Sequence, residues 1–461
     1  MKKGLCVSVK GWLENQILKK NLPDILNLDK KRSIFLVGGA IRDFILHRNP
    51  YDFDFAVSGN GIDFAKKFAK RIKGTCVLLS EKDDEARVVK HRKFTFDFNG
   101  IGDKPIYEDL LRRDFTINTL AINLRKPKLI IDEFSGIRHL KAKVIVPVSE
   151  RSLKIDPLRI LRAFRLALEL HFEVDRKLLS LTKGINLNDI APERISYELL
   201  RICEVPKSFS YIKLLYQLNL LQQIFPMAQD LLQDRKLTGH SLRTYKKIES
   251  LVSGKSYFSQ FPDEISRYFD AFPYRSALLK IAGLLHDIAK PHTQSETAEG
   301  DLHFYGHDNL GAKIVQRLAY EKLRLSRKQV NMLKTLVSYH MRLHLLATAP
   351  ELTDRAIRRF FRDLGDEYFG LMILTYADGY ATAKKTDHLK RTINRMMALK
   401  KADDSKKQVK RLITGNDLIE LGYKPGPVFK TILQEVEEIQ LDGRIKTKEE
   451  GVEYVKCNFP K

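Results

Sequence analysis

Strand-like alternation of apolar and polar residues is confined to about the first 150 positions of this 461-residue chain, and helical periodicity runs through nearly everything after them. That switch restricts the fold to an α+β arrangement, with a mixed-sheet head followed by an all-helical body. IFLV (34–37) reads as a short buried strand, GGAIRDFILH as a glycine turn into a helix, and YDFDFAVSG as a period-two strand ending at Gly59. CVLL (76–79), ARVVK (86–90) and KFTFDF (93–98) continue the strand pattern. RRDFTINTLAINL opens a helix or strand against them, and LIIDEFSG closes the unit near Gly136. After Ser152, DPLRILRAFRLALEL and APERISYELLRIC read as amphipathic helices, the second with Pro192 suited to its first turn. Residues 391–411 form a lysine-rich stretch that reads as a basic linker, and LITGNDLIELGYKPGP opens a small helical tail. The expected division is a head over 1–150, a helical neck over 151–230, a second helical domain over 231–390, and linker plus tail over 391–461.

Composition adds one constraint. Lys+Arg number 81 against 57 Asp+Glu, a formal charge of +24, which concentrates polyanions at the surface unless it is only a lysine-rich compositional bias. No apolar stretch is long enough to span a bilayer, and MKKGLCVSVKGWLENQ lacks the apolar centre of a signal peptide. Cys6, Cys76, Cys203 and Cys457 are scattered with no CxxC pair, so a reducing cytoplasm is the expected setting.

Two short patterns in the head carry chemistry. Asp52 and Asp54 are two apart on a strand, so both carboxylates share one face while Phe53 and Phe55 face the core. Adjacent carboxylates repel unless a cation neutralises them, and Mg2+ held by carboxylates and substrate phosphates is the usual solution. Asp97 in FTFDF is a candidate third carboxylate. Gly38-Gly39 precede the pair at the end of the first strand, where backbone N–H groups can approach a phosphate chain, with Arg42 following. Alone, the glycines make an ordinary turn and the carboxylates a solvated strand edge. Together and in this order they point to nucleotidyl transfer.

LVGGAIRDFILHRNPYDFDFAV resembles the signature of the class II CCA-adding enzyme and bacterial poly(A) polymerase family, within the polymerase β nucleotidyltransferase superfamily. EDLLRRDFTINTLAIN resembles its RRD motif, DPLRILRAFRLALEL its base-reading motif, and ERISYELLRI the motif that follows, in order from Ile34 to Ile202. The resemblance implies a tRNA nucleotidyltransferase that adds C and A to the tRNA 3′ end from CTP and ATP without a nucleic-acid template. It implies that Asp52 and Asp54 are catalytic and hold Mg2+, and that Gly38, Gly39 and Arg42 face the triphosphate. Arg113 and Asp114 would contact ribose and phosphates, and Asn118 and Arg162 would belong to the nucleotide site. Asp156 and Arg159 would face the base. Read as i and i+3 on one helix, that pair offers an acceptor beside a donor, which matches the amino-bearing edges of cytosine and adenine and rejects uracil and guanine. Many relatives carry an acidic residue just before this Asp, where this chain has Ile155. Relatives that switch from C to A use a flexible loop between the strand carboxylates and the RRD motif, and the corresponding Phe98–Leu111 stretch is short. CC-only addition, A-only addition and poly(A) tailing therefore stay open beside full CCA addition.

Downstream, His286-Asp287 in LLHDIAK, with His240, His307, His340 and Asp378, resembles the HD phosphohydrolase superfamily and implies a metal site. Imidazole and carboxylate donors suit Mn2+, Ni2+, Fe2+ or Mg2+ better than tetrahedral zinc. His303 and His344 fit no position in that pattern. The tail resembles the C-terminal module of HD-bearing members and would grip the tRNA body, with Lys424 and Lys430 as candidate phosphate contacts. An HD phosphohydrolase with the head as a sensor, and an RNA-binding protein with an inactive head, are the readings from other classes.

Overall fold

The computed structural model describes residues 16–90, 94–182, 184–254, 256–298, 300–406, 411–441 and 443–459. Residues 1–15 of the N-terminal segment read above, with Cys6, lie outside them, as does Lys93. Two compact units are present: one reaches Val205 and adds Leu214–Ile224, and the other comprises Pro206–Lys213 and the chain from Phe225 onward.

The first unit opens with α1 (Gln16–Leu28), then β1 (Ile34–Val37), α2 (Gly39–Ile45), β2 (Asp52–Ser58) and α3 (Gly61–Ile72). There follow β3 (Thr75–Ser80), β4 (Glu85–Lys90), β5 (Phe94–Gly102), α4 (Ile106–Leu111) and β6 (Ala121–Asn123). The sheet order is β3-β4-β5-β2-β1-β6. β2 and β5 pair in parallel, and the other neighbours are antiparallel. The parallel register sets Phe53 beside Phe96 and Phe55 beside Phe98. Ring centroids of these pairs are 5.9 and 5.1 Å apart. Phe64 and Phe68 of α3 pack on Phe98 and Phe96 at 5.3 and 5.4 Å. All six rings are fully buried. Two period-two strands thus pool their phenylalanines on the helix-covered face and turn their carboxylates to the other.

The Phe98–Leu111 stretch is not a loop. β5 continues to Gly102 and α4 begins at Ile106, leaving three residues between them. The alternation of FTFDFNGIG carries the strand past the point where glycine and asparagine suggested an end.

There follow α5 (Gly136–Lys141), α6 (Glu150–Ile155), α7 (Arg159–Leu170), α8 (Arg176–Leu181) and α9 (Pro192–Glu204), with a small parallel pair of strands, Val144–Ile145 and Glu173–Val174, and the separate helix Leu220–Ile224. Asp156 does not share a helix with Arg159. It caps the C-terminus of α6 in an extended conformation, φ −135°. The cause is Pro157, which excludes the residue before it from helical geometry.

Among the described residues, the regular structure of the second unit is helical apart from a short hairpin of two-residue strands, Ser295–Glu296 and Leu302–His303. Most of the expected linker, 391–411, is helical: residues 391–406 belong to a single 20-residue helix, Asp387–Lys406. Leu389, Ile393, Met396 and Met397 are buried along it, at i, i+4, i+7 and i+8. The lysines occupy the remaining faces and mask that stripe when composition alone is read. Residues 407–410 lie outside the described residues. The tail forms helices Gly415–Glu420, Pro427–Leu441 and Lys448–Asn458 around its own core of Leu418, Ile432, Val436 and Val455. Lys424 and Lys430 are exposed on it. No described helix is long and apolar enough to cross a membrane.

Candidate functional site

In the head, Asp54 is central to an electrostatic cluster. β1 flanks it through Val37, and β5 sets Asp97 directly beside it. Burial raises its pKa to about 6, and Asp97 and Asp52 push the same way while Arg113 opposes them. Asp52 is exposed and accepts a hydrogen bond from the Thr95 hydroxyl. Asp97 is engaged bidentately by Arg87 at 2.8 and 2.7 Å, so it stands next to the pair with its charge already matched. The uncompensated charge rests on Asp52 and Asp54, and that donor set suits a hard divalent cation.

Gly38 makes the approach possible. Its φ is +78°, and a Cβ there would lie 2.7 Å from Arg113 Nη1 and 2.9 Å from Asp54 Oδ2. Its N–H donates to the Leu120 carbonyl at 3.1 Å, so this glycine is required for space and for its backbone conformation rather than as a phosphate donor. Gly39 begins α2 with the Arg42 guanidinium beside it.

The remaining candidate residues of the head form a chain of charge-assisted bonds. Arg42 donates to Asp43 and, at 2.9 Å, to Asn118 Oδ1. Asn118 donates to Asp114 Oδ1 at 2.9 Å, and Arg162 grips Asp114 Oδ2 at 2.9 and 3.1 Å. Burial alone would raise the Asp114 pKa, but Arg162, Asn118 and the Phe115 N–H hold it at about 2. Arg162 also lies 3.5 Å from Glu198 on α9, which binds the buried Arg165 at 2.6 Å. Arg113 is braced by Asp109 at 3.1 Å. Arg159 donates to the carbonyls of Arg113 and Arg112 at 3.0 and 2.8 Å. Asp156 pairs with Arg194 of α9 at 2.8 Å. Sequence reasoning passed over Arg194 and Glu198, although ERISYELLRI signalled their helix, and over the role of Arg165 within DPLRILRAFRLALEL.

Asp54, Arg113, Asp114, Asp156, Arg159 and Arg162 line one cleft of about 1120 Å3. That exceeds the usual range of roughly 300–1,000 Å3 for a single small ligand. Gly38, Gly39, Arg42, Asn118 and Asp52 are not in its lining. Arg42 and Asn118 brace Asp114 through the bonds described above.

The second unit brings His240, His286, Asp287, His307, His340 and Asp378 together. His240 and His286 face each other through Nε2 at 3.2 Å, and His307 and His340 do so at 3.1 Å. The Nδ1 atoms of His286, His307 and His340 each meet the carbonyl three residues upstream, at Gly283, Phe304 and Val337, at 3.0, 2.6 and 2.8 Å. That anchoring makes each Nδ1–H a donor to its carbonyl and turns each Nε2 inward. Both oxygens of buried Asp287 lack a well-formed hydrogen bond, although the Lys290 ammonium is 2.7 Å from Oδ2. Donor atoms fall into two triads that share Asp287: His240–His286–Asp287 and Asp287–His307–His340. Asp378 approaches His240 at 2.9 Å. His344, which fits no position in the HD pattern, bonds Asp378 Oδ2 at 2.9 Å. His303 stacks on Tyr305, away from this constellation. Burial opposes a charge on His286, but Asp287 and Asp378 overcome it and raise the pKa to about 10. Burial and that neighbouring charge lower His340 to about 4. Inward-facing imidazoles, His286 once its proton is displaced, and a carboxylate without a well-formed hydrogen bond fit a transition ion.

Three family descriptions match the chain: "Poly A polymerase head domain" over 34–146, "Probable RNA and SrmB- binding site of polymerase A" over 176–232, and "HD domain" over 238–383. A CC-adding tRNA nucleotidyltransferase of Thermus thermophilus is 30% identical across 91% of this chain and 92% of its own length. An A-adding tRNA nucleotidyltransferase of Deinococcus radiodurans is 28% identical across 91% and 94%. The Thermotoga maritima CCA-adding enzyme solved with tRNA shares the fold, with a TM-score of 0.67 at 22% identity, over 99% of both chains. The chain belongs to the class II CCA-adding enzyme and poly(A) polymerase family of nucleotidyltransferases, in its HD-domain-bearing form.

Proposed function

We propose that this protein adds C and A to the 3′ end of tRNA from CTP and ATP, without a nucleic-acid template, in the cytoplasm. The observation that carries the reading is buried Asp54, its pKa raised chiefly by burial, in the wall of one large cleft with Arg113, and exposed Asp52 two residues before it on β2. A divalent ion, Mg2+ by its chemistry, held by Asp52 and Asp54 would neutralise triphosphate charge. Arg113 offers a guanidinium to the phosphates, and the Asp114–Arg162 pair keeps the floor of the site rigid. The tRNA 3′-hydroxyl would attack the α-phosphorus and pyrophosphate would leave. The proposed division of labour is head (1–150), neck (151–230), HD domain (231–390), and a tail after the helix 387–406 that grips the tRNA body. The HD constellation would hold Mn2+, Ni2+ or Fe2+ and serve phosphate-ester hydrolysis.

Addition of CC alone is the second reading. The turn between β3 and β4 spans four residues and that between β5 and α4 three, which leaves little chain in either to lever a base reader from C to A. The Thermus relative is named for CC addition. Product length decides: tRNAs ending at the discriminator base, at C and at CC are incubated with CTP and ATP, separately and together. Full CCA on all three is the expected outcome. A stop at CC replaces it with the second reading, long A tracts on unrelated RNA indicate a poly(A) polymerase, and no addition at all overturns the proposal.

A further inference from the structure

His344 stands outside the HD pattern yet grips one member of it. It follows His340 by four residues, on the separate short helix Arg342–Thr348, and meets Asp378 on the helix Tyr368–Ala383. A carboxylate only accepts, so the imidazole Nε2–H donates to Asp378 Oδ2, at 2.9 Å. The residue after Asp378 is Gly379, where a Cβ would stand 3.2 Å from His344 Cε1. Bare backbone at that position gives the ring its room. The Thr348 hydroxyl donates to the His344 carbonyl at 3.0 Å and ties the same turn together.

The other oxygen of Asp378 faces the metal ligands. Oδ1 lies 2.9 Å from His240 Nε2 and 3.6 Å from His286 Nε2. Asp287 belongs to both triads, so its charge serves the two halves of the centre alike. Asp378 adds a further negative charge on the His240–His286 side. An unheld carboxylate turns about its Cβ–Cγ bond and presents either oxygen. A histidine that donates to one oxygen removes that freedom in advance, so less order is lost when an ion binds.

We infer that His344 is a positioning residue for the metal centre: by holding Asp378 Oδ2 it reserves Oδ1 for the ion on the His240–His286 side, and it thereby makes the two halves of the centre unequal. This rests on the reading that the HD constellation holds transition ions. His344 touches Asp378 and leaves the His307–His340 side to its own ligands, so its influence is confined to one ion.

The test titrates Mn2+ into the metal-free full-length chain and compares His344 with His344→Ala and His344→Gln. All three chains carry Asp54→Asn, so that the carboxylates of the head do not compete for the ion. Calorimetry reads the number of ions and their affinities. Electron paramagnetic resonance reads the coupled spectrum that two neighbouring Mn2+ ions give only when both halves are filled. Two ions are expected with His344 present. In His344→Ala one affinity is expected to fall about 10–100-fold while the other stays, and the coupled spectrum to appear only at correspondingly higher Mn2+. His344→Gln, which keeps an N–H donor for Oδ2, is expected to recover most of the loss. Equal weakening of both ions, as a merely structural role would give, overturns the inference and leaves the metal reading standing. So do unchanged affinities in His344→Ala. A chain with His344 intact that binds no Mn2+, or only one ion, overturns the two-ion reading and the inference with it.

Discussion

Asp54 is tolerated at a cost, and that cost has a sign that can be measured. Its ordinary pKa of 3.8 becomes about 6 in the folded protein. A raised carboxyl pKa means the unfolded chain ionises first, so the metal-free fold loses stability from this group as pH climbs between those two values. Asp54→Asn is therefore expected to raise the melting temperature at pH 7.5 without metal, to change it little at pH 4, and to abolish nucleotide addition while tRNA binding survives. A melting temperature that falls at pH 7.5 would contradict the cost of burying this charge. Asp52 and Asp54 were legible from the sequence because a strand's two-residue period puts both on one face. Asp156 was legible as a residue but not in its geometry, since Pro157 breaks the helix that the periodicity of DPLRILRAF suggests. Arg194 was invisible for a different reason: its partner lies 38 residues away, and no local pattern encodes a pair of that kind.

Among the elements, α7 and α9 are joined by buried charge. Glu198 is 1% exposed, bound to Arg165 at 2.6 Å and 3.5 Å from Arg162. Removing one member of a buried pair leaves its partner desolvated and poorly matched, at a cost of roughly 3–5 kcal/mol. Arg165 keeps Glu169 at 2.8 Å, so the lower end applies. Glu198→Ala is expected to cost about 3 kcal/mol in urea denaturation of the first unit and to weaken CTP and ATP addition through Arg162. An unchanged denaturation midpoint would show the pair to be inert. Element-level reading of the sequence succeeded where apolar spacing was regular, as in β2, β5 and α7. It failed at 391–406, where lysines and arginines together outnumber a narrow buried stripe, and at Phe98–Leu111, where glycine and asparagine sit inside a strand that pairing with β2 and β4 sustains.

At the scale of the whole molecule, the two candidate chemistries occupy separate compact units with different appetites for metal. Two triads sharing Asp287 lead us to expect two transition ions per chain by elemental analysis, with none bound tightly by the head. Because His286 carries a proton up to about pH 10, loading must expel it, so apparent affinity is expected to rise with pH across the neutral range. Calorimetric titrations in buffers of different ionisation heat read that proton directly, and a buffer-independent heat would refute it. The ligands also come from widely spaced segments, the first at His240 and the last at Asp378. A filled centre is therefore a covalent-like stitch through most of the second unit, closing loops the way a disulfide does. Its consequence is kinetic: protease should cut the metal-stripped second unit within its helices far sooner than the loaded one, while the head is digested at the same pace in both.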